Sequence, residues 1–156
     1  MTPEPDLSIR LFSEPQLLAS IRALVDALAA GIGFNEKNRC LMSLAIDEGL
    51  SNVIRHGYQG RRDGLIWMHI WRVAEPRGLR FVIEDLGQAV DPAKIQGRPL
   101  DDVRPGGLGV HIIKETMHEA EWEARPNGGM RLTLAKRLSD EERQAIENTS
   151  HGKTTP

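Results

Sequence analysis

Glu48 and Asn52 are a carboxylate and an amide set one helical turn apart in Leu41-Met42-Ser43-Leu44-Ala45-Ile46-Asp47-Glu48-Gly49-Leu50-Ser51-Asn52-Val53-Ile54-Arg55-His56-Gly57. On a helical wheel, at about 100° per residue, Ser43, Asp47, Ser51 and Arg55 form one narrow polar stripe, which reads as the solvent face. Glu48 and Asn52 fall outside it, beside Leu41, Leu44 and Ala45, on an arc expected to be buried. Burying such groups without partners costs roughly several kcal/mol, so a polar ligand is expected to meet them, and a metal-bound phosphate fits. An amide oxygen is a hard ligand suited to Mg²⁺, whose remaining ligands are usually water and substrate phosphates. A carboxylate one turn away can accept a proton from a hydroxyl or a water.

Two further pieces follow in the chain. Asp85-Leu86-Gly87 ends an apolar run; a carboxylate there can accept from an exocyclic amine, and the glycine lets a ring approach. The same three residues also read as a plain strand-to-turn signal. Gly106-Gly107-Leu108-Gly109 leads into Val110-His111-Ile112-Ile113. Glycines before a helix let backbone N–H groups converge on an anion, aided by the helix dipole; a flexible loop end is the bland alternative. The pattern lacks the Gly-Lys-Ser/Thr of a Walker motif and the spacing of a Rossmann fingerprint.

The elements that must position these groups are legible from periodicity. Residues Leu7–Phe12 alternate as a half-buried strand. Ser13-Glu14-Pro15-Gln16 reads as a capping box before a helix over 15–30 that ends near Gly31 and Gly33. Asn35 caps the helix bearing Glu48 and Asn52, which stops at Gly57. Strands over 65–73 and 79–84 are joined by the hairpin Glu75-Pro76-Arg77-Gly78. Residues 85–105 form a long loop with at most a short helix near Pro92, and loops of this length are usually functional. A third helix over 108–117 precedes strands Glu119–Ala124 and Met130–Arg137 joined by Pro126-Asn127-Gly128-Gly129. Ser139-Asp140-Glu141-Glu142 is a second capping box opening a short helix, with a disordered polar tail over 148–156. The fold class expected is α+β: a two-layer sandwich, a mostly antiparallel mixed sheet covered on one face by three helices.

The bulk numbers narrow the function. A chain of 156 residues, 40% hydrophobic and 27% charged, suits one globular domain. A net charge of −2 gives no support for a nucleic-acid or membrane binder. Cys40 is the one cysteine, so no internal disulfide forms; it reads as a packed small hydrophobe. No apolar stretch is expected to approach a membrane span, the acidic, proline-rich start is unlike a signal peptide, and a cytoplasmic location follows. His56, His69, His111 and His118 have no metal spacing and read as structural or surface groups. Trp67 and Trp71 share one strand face and read as packing.

The three pieces in this order resemble the bacterial anti-sigma-factor serine/threonine kinases, part of the ATP-binding (GHKL, Bergerat-fold) superfamily shared with gyrase, the ninety-kilodalton heat-shock chaperone and histidine kinases. The resemblance covers residues 7–138 and implies a kinase domain over 1–138, with a short helix and disordered tail over 139–156. It implies Glu48 as general base, Asn52 as Mg²⁺ ligand, Asp85 as adenine reader, and Gly87, Gly107, Leu108 and Gly109 around the nucleotide. Thr133, in Gly128-Gly129-Met130-Arg131-Leu132-Thr133-Leu134, would support the adenine site, and the loop between Gln88 and Pro105 would be the ATP lid, with Arg98 and Arg104 on it. It further implies ATP and Mg²⁺ as cofactors, a STAS-type anti-anti-sigma protein as phosphoacceptor, a sequestered sigma factor as second partner, and homodimers, for which the first strand offers an edge. The alternatives are a nucleotide-binding sequestration module without phosphotransfer and a stand-alone ATPase.

Overall fold

The computed structural model describes residues 3–96, 101 and 108–152. Five strands, β1 (Leu7–Phe12), β2 (Leu65–Ala74), β3 (Arg77–Asp85), β4 (Glu119–Ala124) and β5 (Met130–Arg137), form one sheet in the order β1-β2-β3-β5-β4. Every pairing is antiparallel, so the sheet is not mixed. Alternation decides the faces. Leu11, Ile66, Met68, Ile70, Leu79, Phe81, Ile83, Leu132 and Leu134 point into the core. Trp67, His69, Val82, Glu84, Arg131 and Thr133 alternate with them in register and take the opposite face.

Helices α1 (Leu18–Ile32), α2 (Glu36–Asn52) and α3 (Gly109–Thr116) cover the core face, and α4 (Asp140–His151) closes one end. α1 buries Leu18, Ile21, Val25, Ala29 and Ile32 and ends at Gly33, whose φ of 112° takes the left-handed turn that glycine adopts without strain. Asn35 caps α2 by accepting from the Asn38 N–H. A π turn, Val53–Gly57, follows directly on α2.

Several expectations are corrected. Ser13 caps no helix: its side chain is buried, accepting from the Gly64 N–H and donating to the Arg61 carbonyl, and Pro15–Leu17 is a 3₁₀ turn without a side-chain cap. Of the stripe Ser43, Asp47, Ser51 and Arg55, Arg55 is exposed as expected, but Ser43 and Asp47 do not face solvent. Asp47 meets Arg22 of α1 at 2.5 Å and Ser43 is buried, because α1 lies across that flank; Leu44 is exposed instead. Cys40 is exposed. Residues 148–151, expected in a disordered tail, are helical. Pro15–Ile32 is, against expectation, long and apolar enough to cross a membrane by length and composition. In the fold this stretch is one side of the helical layer, its Arg22 and Asp26 paired with Asp47 and Arg39 of α2.

Candidate functional site

A cavity of about 670 Å³ opens between α2 and its π turn, the end of β3, residues 88–96, the start of α3, Trp122 of the edge strand β4, and Met130 and Leu132 of β5. Asp85 ends β3 on the core-facing side and is only 2% exposed. Its Oδ1 accepts from the Gly87 N–H at 2.8 Å and the Met130 N–H at 3.4 Å, while Arg125 Nη1 donates to its backbone carbonyl at 2.6 Å. Burial pushes the Asp85 carboxyl above the ordinary aspartate value, against the pull of those two N–H groups and the Arg125 charge. Among the described residues both N–H bonds fall on Oδ1, so Oδ2 is the oxygen free to accept from an incoming amine.

Close backbone approaches shape this end. A Cβ on Gly87 would stand 2.5 Å from the Gly57 carbonyl, and one on Gly129 (φ 78°) would stand 2.0 Å from the Asp85 carbonyl oxygen. Tyr58 ties the wall together: its hydroxyl donates to the Leu65 carbonyl and accepts from the Leu86 N–H at 2.9 Å.

Asn52 closes α2 and lines the cavity. Glu48, its side chain 24% exposed, lies against the first turn of α3, with Arg55 Nη2 3.7 Å away. A Cβ on Gly109 would fall 2.3 Å from Glu48 Oε2; glycine at the head of α3 is what lets the carboxylate meet the amino end of that helix. The Asn52 amide fits a Mg²⁺ that keeps phosphates and water as its other ligands, and the α3 amino end fits an anion.

Of the expected site residues, Asn52, Asp85 and Gly109 line the cavity; Glu48 lies behind Gly109, and Gly87 beside Asp85, to which its N–H donates. Leu108 is exposed at the cap of α3, outside the cavity wall. Gly107, with Gly106, Arg98 and Arg104, lies outside the described residues. Thr133 is paired with Val82 on the opposite face of the sheet, so it cannot stand beside Asp85; Met130, three residues earlier, takes that place. Three site residues escaped sequence reasoning. Met130 comes to Asp85 where the β3–β5 pairing runs out, and Arg125, just beyond β4, reaches back to the Asp85 carbonyl; Met130 directly after Gly128-Gly129 was a local hint. His56, read as structural, lines the cavity.

The sequence profile of the histidine kinase-like ATPase domain matches residues 11–153. The chain belongs to that family. The serine-protein kinase RsbW of Bacillus pumilus is 24% identical over 145 residues, 86% of this chain and 87% of that protein. The serine/threonine-protein kinase BtrW of Bordetella bronchiseptica is 30% identical over 107 residues, 66% of this chain and 73% of that one. The anti-sigma F factor of Halalkalibacterium halodurans is 26% identical over 144 residues, 89% and 95% of the two chains. A solved structure of the RsbU and RsbW domains of a Mycobacterium tuberculosis protein shares the fold, with a TM-score of 0.59 at 22% identity over 88% of this chain and 33% of that one. The matched domain is an ATPase domain, which supports the use of ATP by this chain.

Proposed function

We propose that this histidine kinase-like ATPase domain is a serine/threonine protein kinase of the anti-sigma class, transferring the γ-phosphoryl group of ATP to a hydroxyl on a STAS-type partner and restraining a sigma factor. The observation that carries this reading is the Glu48 carboxylate laid against the glycine head of α3, at one side of a cavity whose other side holds the buried Asp85. Asp85 accepts from the adenine amine. The α3 amino end holds the anionic phosphates. Glu48 takes the proton as the acceptor oxygen bonds to the γ-phosphorus and the bridging oxygen departs with ADP. Asn52 would hold Mg²⁺, which supplies charge neutralisation across the phosphates; positioning and charge carry most of such catalysis.

Transfer of label from γ-labelled ATP to a recombinant STAS-domain protein encoded in the same genome tests the reading. Labelled serine or threonine on the partner is the expected result. ATP binding with no transfer would replace it with the sequestration module. Absence of ATP binding would remove both.

A further inference from the structure

Among the described residues, Lys136 is the buried cation that the proposed chemistry does not use. It sits on β5 opposite Leu79, on the core-facing side of the sheet, and is 8% exposed. Its Nζ donates to the carbonyl of Thr116, the last residue of α3, at 2.5 Å. Helix α3 has eight residues, no side-chain cap at Leu108, and an extended Met117 in place of a left-handed glycine at its end. A helix this short has no stability of its own; what it packs against and what holds its ends decide its place. Ile113 and Thr116 are buried, Gly109 rests on Glu48, and Lys114 stands 5.9 Å from the Trp122 ring centroid.

We propose that Lys136 is a positioning residue for the phosphates: by holding the carboxyl end of α3 from β5, it fixes where the amino end of that helix meets them. The helix dipole is then completed at both ends, by an ammonium at the carbonyls and by the anionic ligand at the amides. Burial lowers the Lys136 amine below the ordinary lysine value, and the Glu142 carboxylate of α4 partly restores it. A methionine in its place would avoid that desolvation cost but would leave the buried Thr116 carbonyl without its donor, so what the ammonium does is done at Thr116. The span involved is one short rod: a shift at Thr116 moves Gly109, and with it the groove beside Glu48.

This inference rests on the nucleotide reading of the cavity, and the experiment separates the two. Affinities of wild type and K136M for MgATP and for adenosine are measured by competition against a fluorescent ATP analogue, alongside melting and hydrogen exchange of the apo proteins. K136M is expected to stay folded, to lose about tenfold in ATP affinity with adenosine affinity unchanged, and to exchange faster in Gly109–Thr116 than elsewhere. K136Q, which keeps a neutral donor, is expected to fall between. Unchanged ATP affinity, or an equal loss for ATP and adenosine, overturns the proposal. If K136M and K136Q both fail to fold, Lys136 serves the whole fold and the proposal is likewise overturned. A wild type that binds no ATP brings down the nucleotide reading itself and the positioning role with it.

Discussion

Asp85 illustrates how one side chain carries two opposed demands. Its raised carboxyl value means that the folded chain disfavours the ionised form. Stability is therefore lost as pH climbs from the ordinary aspartate value to the raised one, and the loss persists above it. Asp85→Asn removes that cost, and its amide oxygen can still accept from Gly87. The apo variant is expected to melt higher than wild type at neutral pH, with the gain vanishing below the ordinary aspartate value. ATP affinity should fall about tenfold or more, because a charged acceptor for the amine is gone. Calorimetry with ATP and GTP checks the same residue: guanine presents an oxygen where adenine presents its amine, so equal affinities would remove Asp85 as the adenine reader. Glu48→Gln keeps the side-chain size and the contact with Gly109, so phosphotransfer should fall by about 10²-fold or more while ATP still binds. Asp47→Asn is the neighbouring control. Its partner is Arg22 in the seam between α1 and α2, so transfer should be unaffected; the reverse pattern in a kinetic assay would move the base to the wrong side of the helix.

At the level of elements, α2 is held at its amino end by a group distant in sequence. Glu142 of α4, 3% exposed, accepts from the Asn35 N–H at 2.7 Å, the Asn38 side-chain amide at 2.8 Å and the Ser139 N–H at 2.8 Å. One carboxylate thus serves the amino ends of two helices. Burial alone would raise its value, but these hydrogen bonds outweigh burial and leave it below the ordinary glutamate value. The stability it contributes is full above the ordinary value and is lost as pH falls through the lowered one. Glu142→Ala should cost about 2–4 kcal/mol at neutral pH, and urea melts of the two proteins should converge on acidification. The capping box at Ser139 was legible from four letters; the reach of Glu142 to Asn35 was not, because nothing local marks a contact between residues so far apart in sequence. The strands were legible for the same reason as the box, since alternation is local. Ser13 shows the converse: its spacing matched a cap, but the Arg61–Gly64 loop offered better partners.

For the whole molecule, the sequence announced the layers and the site's order along the chain, while the sheet order β1-β2-β3-β5-β4 had to be seen. Alternation along β5 decided the fate of Thr133. A shift of three residues from Met130 crosses the sheet, and side-chain periodicity sends Thr133 away from the cavity whatever motif it belongs to. The α1–α2 seam was hidden likewise, because a polar stripe looks the same whether it meets water or another helix's arginine. Loading with MgATP should be felt on one side of the molecule. Hydrogen exchange is expected to slow over 88–96 and Gly109–Thr116 more than in β2 and β3, since only the first two border the cavity without being held in the sheet. Equal slowing everywhere, or none, would place the nucleotide elsewhere.

The π turn after Asn52 makes this part of the chain sensitive to its length more than to its letters. The Tyr58 N–H reaches back to the Val53 carbonyl, five residues, at 2.9 Å, so the turn spends one residue beyond what a regular helix would need. Removing any one residue from Val53–Gly57 would let the helix run on as an ordinary α-helix and would swing everything after it by about 100°. Tyr58 would then leave Leu65 and Leu86 together, and the start of β2 and the loop beyond Asp85 would lose their common post. A sequence drifting by substitution can keep this site; one that drifts by a single deletion here cannot.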